Sequence, residues 1–118
     1  MTEFKFKKDK YRRNRGGYSR FLNVYCSNCG EHFFLYQKDG PGILKRAYLD
    51  RIVAPETIAD YVNLDAKKVP NLICDNCGQK IGSFYIYPKE ERKAMLLNQG
   101  SFSKKITKGF YPPIQTQK

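Results

Sequence analysis

The 118-residue chain contains no tryptophan, one histidine and only four cysteines. It also lacks any apolar run approaching the ~20 residues that are needed to span a bilayer. Its first twenty residues are highly charged and have no apolar stretch like the core of a signal peptide. These absences predict a soluble protein of a reducing, intracellular compartment, and we expect that compartment to be the cytoplasm.

Motifs that would supply catalysis are scarce as well. The chain has no Gly-x-Ser-x-Gly element and no phosphate-binding glycine loop. Glu90 and Glu91 are adjacent, so on a helix they would point in different directions and would not form an acid–base pair. We therefore predict that the protein is not an enzyme.

All four cysteines belong to two nearly identical elements, Cys26–Gly30 (CSNCG) and Cys74–Gly78 (CDNCG). Two cysteines separated by two residues direct both sulfurs at one ion from a single turn, and two such turns complete the tetrahedron that Zn²⁺ prefers. The glycine after each pair permits the positive φ of a sharp bend. Because four protein ligands leave no position open for water, we predict one structural Zn²⁺. Its predicted ligands are Cys26, Cys29, Cys74 and Cys77.

Three other interpretations of this site stay open. An iron–sulfur cluster also binds four cysteines, and two disulfides would suit an oxidising compartment. His32 follows Cys29 by three residues and is a further candidate ligand. Since four sulfurs already fill the coordination sphere of zinc, an ordinary strand or surface histidine is the favoured interpretation. In so small a chain, metal binding would add directly to the free energy of folding.

The net charge of +11 is concentrated at the two ends of the chain. Residues 1–20 contain eight Lys or Arg and two acidic residues (+6), and residues 101–118 contain four Lys and no acid (+4). The centre, residues 21–100, has ten basic and nine acidic residues (+1). We therefore predict a basic disordered arm (1–20), a four-cysteine zinc-binding β domain (21–100) and a basic C-terminal tail (101–118).

Both ends have the composition of nucleic-acid-binding segments. Lysine and arginine neutralise phosphates, and aromatic residues such as Phe6, Tyr11 and Tyr18 offer flat faces for unpaired bases. This pattern predicts binding to RNA or single-stranded nucleic acid. An acidic protein, a membrane surface and a purely solubilising role are the alternatives. The candidate contacts are Lys5, Lys7, Lys8, Lys10, Tyr11, Arg12, Arg13, Arg15, Tyr18, Arg20, Lys104, Lys105 and Lys108.

The periodicity of the centre predicts mostly strands. Residues 21–25 and 32–36 flank the first cysteine turn as a hairpin, and a second hairpin of residues 71–73 and 81–87 repeats this unit. The remaining predictions are a strand at 43–53, a short helix at 55–63, a loop at 66–70 and a C-terminal helix at 88–100. Proline suits the first position of that last helix, and glycine suits its end.

The order of these elements resembles the Yippee-type arrangement over residues 24–87. The resemblance rests on the two cysteine pairs, on Gly42–Leu49 (GILKRAYL) between them and on Ile81–Tyr85 (IGSFY) after the second pair. It implies a β-tent fold, in which two antiparallel sheets meet at a zinc ion held by four cysteines. The expected fold class is mainly β: a small zinc-stabilised antiparallel sheet domain of the zinc-ribbon or β-tent type, with one C-terminal helix and basic flexible tails.

The chain departs from other β-tent proteins in two ways. It has no cysteine beyond the four zinc ligands, whereas methionine sulfoxide reductases of the related type need one for catalysis. It also lacks the three tryptophans from which related ligand-binding domains build a cage. Small zinc-ribbon ribosomal proteins with basic extensions are similar in their arrangement of charge.

We therefore expect a non-enzymatic zinc-binding protein that binds RNA or single-stranded nucleic acid through its tails. The expected setting is a ribonucleoprotein or the ribosome. The alternative is a protein-interaction adaptor, in which an exposed sheet face or the aromatic strand at 84–87 binds a protein partner.

Overall fold

The computed structural model describes residues 2–112 of the chain. Strands account for 43% of the residues and helices for 17%, which confirms the mainly β class. The strands are β1 (Thr2–Glu3), β2 (Ser19–Cys26), β3 (His32–Asp39), β4 (Arg46–Tyr48), β5 (Ile52–Ala54), β6 (Leu72–Ile73), β7 (Lys80–Tyr87), β8 (Arg92–Leu97), β9 (Phe102–Thr107) and β10 (Phe110–Tyr111). The helices are α1 (Lys10–Asn14) and α2 (Glu56–Ala59), with 3₁₀ turns at Leu49–Arg51, Asp60–Asn63 and Ala66–Lys68.

The first sheet has four antiparallel strands in the order β5-β3-β2-β9. Its centre is the hairpin of β2 and β3, whose aromatic and β-branched residues favour strands. Ser19 lies opposite Asp39 at the end of this hairpin that is distant from the cysteine turn. Because side chains alternate along a strand, Leu22 and Val24 enter the main core, whereas Phe21 lies on the other face.

The second sheet has the antiparallel order β4-β8-β7-β6 and contains the hairpin of β6 and β7. The main core lies between the two sheets. Phe34 and Tyr36 of the first sheet belong to one buried cluster with Ala47, Met95 and Leu97 of the second. Burial of these apolar side chains is the main driving force that holds the sheets together. The two predicted cysteine hairpins are therefore confirmed, one in each sheet.

The predicted C-terminal helix at 88–100 is wrong. Residues 88–91 form a turn in which Glu91 has a positive φ of 51°, a conformation that no α-helix continues. The following β8 pairs with β7 on one edge and with β4 on the other. Its segment Ala94–Leu97 (AMLL) has high intrinsic helix propensity, but only Leu96 in it is exposed. Pairing on both edges and burial therefore override the local preference.

The other central predictions are partly right. The strand predicted at 43–53 is divided, because residues 43–45 are irregular and a 3₁₀ turn separates β4 from β5. The helix predicted at 55–63 is present as α2 followed by a 3₁₀ turn. The loop predicted at 66–70 begins with another 3₁₀ turn.

The N-terminal segment packs against the outer face of the first sheet, which differs from the disordered arm predicted at 1–20. β1 pairs with β10, and the ring of Phe6 stacks on that of Phe21 at a centroid distance of 4.4 Å. Phe4 and Tyr111 pack into the same small second core. The alternation of Phe and Lys at positions 4–7 is the strand-like signal of this packing.

The tail predicted at 101–118 also contains strands. β9 forms an edge of the first sheet beside β2, and β10 pairs with β1. Residues 113–118, which include Lys118 and the second proline of the Pro112–Pro113 pair, lie outside the described residues.

Ionic contacts that are distant in sequence connect the N-terminal segment to both sheets. The carboxylate of Asp9 caps α1 and accepts a hydrogen bond from Arg51 at 2.6 Å. Arg51 is only 1% exposed and also donates to Asp39 at 2.8 Å. Arg15 donates to both carboxylate oxygens of Glu90, at 2.8 and 3.0 Å. The segment is therefore held by charges that are paired in or near the protein interior.

Candidate metal centre

Each cysteine turn is closed by the same two backbone hydrogen bonds. In the first turn, the N–H of Cys26 donates to the carbonyl of Glu31 at 2.8 Å, and the N–H of Gly30 donates to the carbonyl of Cys26 at 2.9 Å. The corresponding bonds from Cys74 and Gly78 in the second turn are both 2.8 Å long. The two glycines have φ values of 81° and 80°, which glycine tolerates. The repeated sequence therefore produces a repeated turn.

The two turns bring the four cysteine sulfurs together, as predicted. All four Sγ atoms lie within 4.8 Å of one another, with 3.6 Å between Cys26 and Cys77 and 3.5 Å between Cys29 and Cys74. A tetrahedral zinc ion with Zn–S bonds of about 2.3 Å places its sulfurs about 3.8 Å apart. The cysteines are not joined in disulfides, which require a sulfur–sulfur distance of about 2.05 Å. The arrangement fits one four-coordinate metal ion.

The site lies at the boundary between the main core and solvent. Cys26, at the end of β2, and Cys74, just after β6, are buried members of the core. Cys29 and Cys77 are exposed. Because each sheet supplies one buried and one exposed sulfur, an ion bound to all four would cross-link the two sheets.

Each turn supplies an amide that stabilises the exposed thiolate of the other. A hydrogen bond from the Asn28 side chain is the main cause that lowers the pKa of Cys77 to about 6. Reciprocally, a hydrogen bond from the Asn76 side chain is the main cause that lowers the pKa of Cys29. Burial instead raises the pKa of Cys74 to about 11. Part of the free energy of metal binding must therefore be used to deprotonate the buried thiol.

A group of polar contacts beside the sulfurs also joins the two turns. The Ser27 side chain donates to the carbonyl of Gly100 at 2.8 Å, and its backbone N–H donates to Ser101. The side-chain amide of Gln79, from the second turn, lies 3.3 Å from both Ser27 Oγ and the Ser101 carbonyl. These residues are not predictable from the sequence, because their contacts span 22 to 73 positions and have no local signal.

His32 lies apart from the four-sulfur cluster, on the other face of the first sheet. Its Nε2 atom is 2.9 Å from Asn23 Oδ1, and its ring packs against those of Tyr25 and Tyr111. Burial lowers its pKa. This environment is that of an ordinary, hydrogen-bonded strand residue, and the metal-compatible group consists of the four cysteines.

Five of the predicted nucleic-acid contacts are partly buried or donate a side-chain hydrogen bond within the chain. The ring of Tyr11 covers the guanidinium of Arg92 at 3.9 Å, Arg12 donates to Ser19 Oγ at 2.8 Å, and the Lys7 ammonium donates to a backbone carbonyl at 2.7 Å. The full set is Lys7, Tyr11, Arg12, Arg15 and the half-buried Arg20.

The other eight predicted contacts are exposed. Lys5 makes a single ion pair, with Glu3 at 3.5 Å, and its side chain is 84% exposed. Tyr18 is 46% exposed, and its aromatic face is the one predicted stacking surface of the set that stays open. The exposed set is Lys5, Lys8, Lys10, Arg13, Tyr18, Lys104, Lys105 and Lys108.

Comparisons with known proteins give no match to a protein-family model, to a curated protein or to a solved structure. The Yippee-type resemblance therefore stays a prediction from the residues. In the part of the chain that the structure describes, no helix has the length and apolar character needed to cross a membrane.

Proposed function

We propose that this protein is a non-enzymatic domain, ordered by one structural zinc ion, that binds RNA or single-stranded DNA through a basic surface. A set of exposed cations is the observation that supports this proposal. Within residues 2–112, none of these side chains lies within ion-pair distance of a carboxylate. The set consists of Lys8, Lys10, Arg13, Lys104, Lys105 and Lys108.

Metal binding would increase the difference in net charge between the two ends of the chain and its centre. Four thiolates and one Zn²⁺ carry a net charge of −2, so residues 21–100 would change from +1 to −1. The net positive charge of the protein would then come from the two terminal segments alone. Such a surface attracts a polyanion and gains affinity by releasing its counterions.

The proposed mode of binding is a folded surface and not a pair of free arms. Phe4 and Phe6 pack on the first sheet, and β9 is one of its strands. Phe6 and Tyr11, which were candidates for stacking on bases, already stack on Phe21 and Arg92. Contacts to phosphates would therefore dominate, and these position a nucleic acid without reading its sequence.

The lysines of β9 have a competing explanation. Charged side chains on an edge strand prevent unwanted pairing with another sheet, and β9 is an edge strand. The two explanations differ in one measurable property. Lysines that only protect the edge contribute nothing to the salt dependence of oligonucleotide binding.

The test is fluorescence anisotropy of labelled single-stranded RNA and DNA with the full chain across a salt series. The first variant carries Lys104→Gln, Lys105→Gln and Lys108→Gln. Each lost phosphate contact should reduce the slope of log affinity against log salt by about 0.7. We therefore expect the triple variant to reduce the slope by about 2 and to weaken binding at low salt.

The control variant carries Lys67→Gln and Lys68→Gln, two exposed lysines on a 3₁₀ turn in the centre of the chain. It should bind like the original protein. Absence of oligonucleotide binding at low salt would contradict the proposal, as would an unchanged slope in the triple variant. Substitutions are better than truncation here, because removing residues 1–20 also removes β1 and the rings of Phe4 and Phe6 from the second core.

The adaptor function remains a second candidate because of the outer face of the second sheet. Leu96 is 49% exposed there, on the same face as the half-buried rings of Tyr85 and Tyr87. Arg46 stacks over Tyr87 at 4.3 Å and donates to the Tyr85 hydroxyl. Binding of a protein to this face would depend little on salt and would be lost in Leu96→Asp.

A further inference from the structure

A cavity of about 250 Å³ opens between the end of β3, the loop at 40–45 and β4. It lies away from the cysteine cluster, and none of the cysteines lines it. Four of its lining residues carry positive charge and one carries negative charge. The charged residues are Arg15, Lys38, Asp39, Lys45 and Arg46.

Two of these five charges are already paired. Arg15 binds Glu90, and Asp39 accepts from the buried Arg51 at 2.8 Å. The other three, Lys38, Lys45 and Arg46, have no carboxylate within ion-pair distance among residues 2–112. The cavity therefore holds three positive charges that no acidic side chain of the described chain neutralises.

Lys38 is the most unusual of the three because it is only 9% exposed. Its ammonium group reaches two backbone carbonyls, those of Gly40 at 3.3 Å and Pro41 at 3.2 Å. Buried lysines are rare unless they are paired with an anion. Burial and the neighbouring positive charges, first that of Arg20, lower its pKa.

Arg20 adds an independent observation. It lies directly opposite Lys38 in the register of β2 and β3, and like charges in this position destabilise a sheet. Its Nε atom is buried and has no hydrogen-bond partner. A donor of this kind is costly to leave unpaired. Arg20 does not line the cavity, but an anion bound at the Lys38 ammonium would offset the repulsion between these two cations.

We propose that this cavity binds the phosphate group of a nucleotide, held by Lys38, Lys45 and Arg46. Arginine and lysine form short, charge-assisted hydrogen bonds with phosphate oxygens. Pro41 and Ile43 provide an apolar rim, and Ile43 is 62% exposed. This rim provides an apolar surface that the uncharged part of a nucleotide can contact.

The size of the cavity agrees with a small ligand. Sites for drug-sized molecules occupy about 300–1,000 Å³, and this cavity is smaller.

The phosphate would come either from a free nucleotide or from the end of an oligonucleotide, since both present the same group. The proposal does not depend on the basic surface of β9 and goes beyond the function proposed above.

The test follows backbone amide signals of the full, metal-loaded chain by NMR during titration with adenosine 5′-monophosphate and with inorganic phosphate. We expect saturable shifts at residues 38–48. The variant Lys45→Gln/Arg46→Gln should bind the nucleotide at least about tenfold more weakly, because it loses two charged donors. The matched control Lys67→Gln/Lys68→Gln removes the same charge elsewhere and should bind like the original chain.

A variant of Lys45 alone tests whether the weaker nucleotide binding of the double variant is an indirect result of a disturbed sheet. Arg46 also stacks on Tyr87, so its loss can disturb the sheet, whereas the Lys45 side chain is exposed and has no hydrogen bond among the described residues. Lys45→Glu should retain the folded spectrum and still weaken nucleotide binding. Unchanged nucleotide affinity in both variants, or equal weakening in the control, would overturn the proposal.

Two oligonucleotides, one with a 5′-phosphate and one with a 5′-hydroxyl, identify the source of the phosphate. A preference for the phosphorylated end that disappears in Lys45→Gln/Arg46→Gln would assign the cavity to nucleic-acid ends. Nucleotide binding without that preference would assign it to free nucleotides. If neither the nucleotide nor the phosphorylated oligonucleotide shifts residues 38–48, the cavity proposal fails, while salt-dependent oligonucleotide binding through β9 would still stand.

Discussion

The two cysteine hairpins have the same turn but different support. The first turn connects two eight-residue strands, β2 and β3, which occupy the inner positions of their sheet. The second turn is preceded by β6, which has two residues and lies at a sheet edge. The turn itself is therefore dictated by five local residues, whereas its stability depends on the strands around it. The second hairpin should rely more on the metal than the first.

The side chains around the two turns show the same asymmetry. Ile73, just before the second pair, is 51% exposed, whereas the equivalent Tyr25 is only partly exposed. Gln79 connects the second turn to Ser27 of the first, and Ser27 is itself bonded to the chain before β9. The second turn thus uses the first as part of its support, and a bound ion would strengthen that connection.

Removal of the metal should reduce the stability of the protein more than any other change considered below. It should also affect the second hairpin before the first. Structural zinc sites contribute on the order of 10 kcal/mol in small domains, which is similar to the whole stability of a typical protein. We expect chelation to lower the thermal midpoint by more than about 10 °C. Amides of residues 72–80 should lose hydrogen-exchange protection before those of β2 and β3.

The matched variants Cys26→Ser and Cys74→Ser should both release the metal, because a tetrahedral site needs all four ligands. Their remaining protection should then be the same as in the chelated protein. Equal protection of both hairpins after chelation would contradict the proposed difference in support. An unchanged midpoint would contradict the structural role of the metal itself.

Arg51→Ala should remove the greater stability of the first hairpin relative to the second. Arg51 is buried and bonds to Asp39 at the end of β3 and to Asp9 in the N-terminal segment. Its loss leaves the buried Asp39 carboxylate without a counter-charge, which costs about 3–5 kcal/mol. Denaturant unfolding measures this loss. The exposed control Arg13→Ala should change stability by less than about 0.5 kcal/mol, and a similar small change in Arg51→Ala would show that the ion pairs are unimportant.

Asn28→Ala and Asn76→Ala test whether the turns support each other reciprocally. Each amide is the main cause that lowers the pKa of the exposed cysteine of the opposite turn. Loss of such an outer contact weakens metal binding by about 10–100-fold. We expect similar losses for the two variants in competition with a chelator of known affinity, and no loss for the remote control Asn63→Ala. A loss confined to one variant would show that the cross-contacts are not equivalent.

Acid should weaken the ion pair between Asp9 and Arg51, which supports the first hairpin, in a narrow range of pH. The hydrogen bond from Arg51 is the main cause that lowers the pKa of Asp9 from 3.8 to about 2. The stability from this pair is therefore complete above about pH 5 and is lost as the pH falls through about 2. The difference in stability between the original chain and Asp9→Asn, measured by denaturant unfolding, should shrink over this range. A difference that stays constant would contradict the assignment.

The features that the sequence predicts correctly are local. The cysteine turns and their flanking strands are visible because Cys26–Gly30 and Cys74–Gly78 repeat one pattern between β-branched and aromatic residues. The strand β8 is not visible, because Ala94–Leu97 favours a helix locally and becomes a strand only between two partner strands. Local propensity thus fails where pairing on both edges decides the structure.

The position of the N-terminal segment depends on long-range contacts. Asp9 and Arg51 are 42 positions apart, and the Gln37 side chain bonds to the backbone of Lys7 across 30 positions. A single sequence gives no sign of these pairs, so its run of lysine and arginine predicts a free arm. The cavity near Lys38 has no local signal in the sequence for the same reason, because its lining residues come from both sheets, the loop between them and the N-terminal segment.

The most direct test of the central claim is X-ray absorption spectroscopy at the zinc edge on the purified full chain. We expect one zinc ion per chain, surrounded by four sulfur atoms at about 2.3 Å. A shell that includes a nitrogen atom, which would come from His32, would contradict the four-cysteine site. Iron in place of zinc, or no bound metal, would contradict the claim that zinc joins the two hairpins.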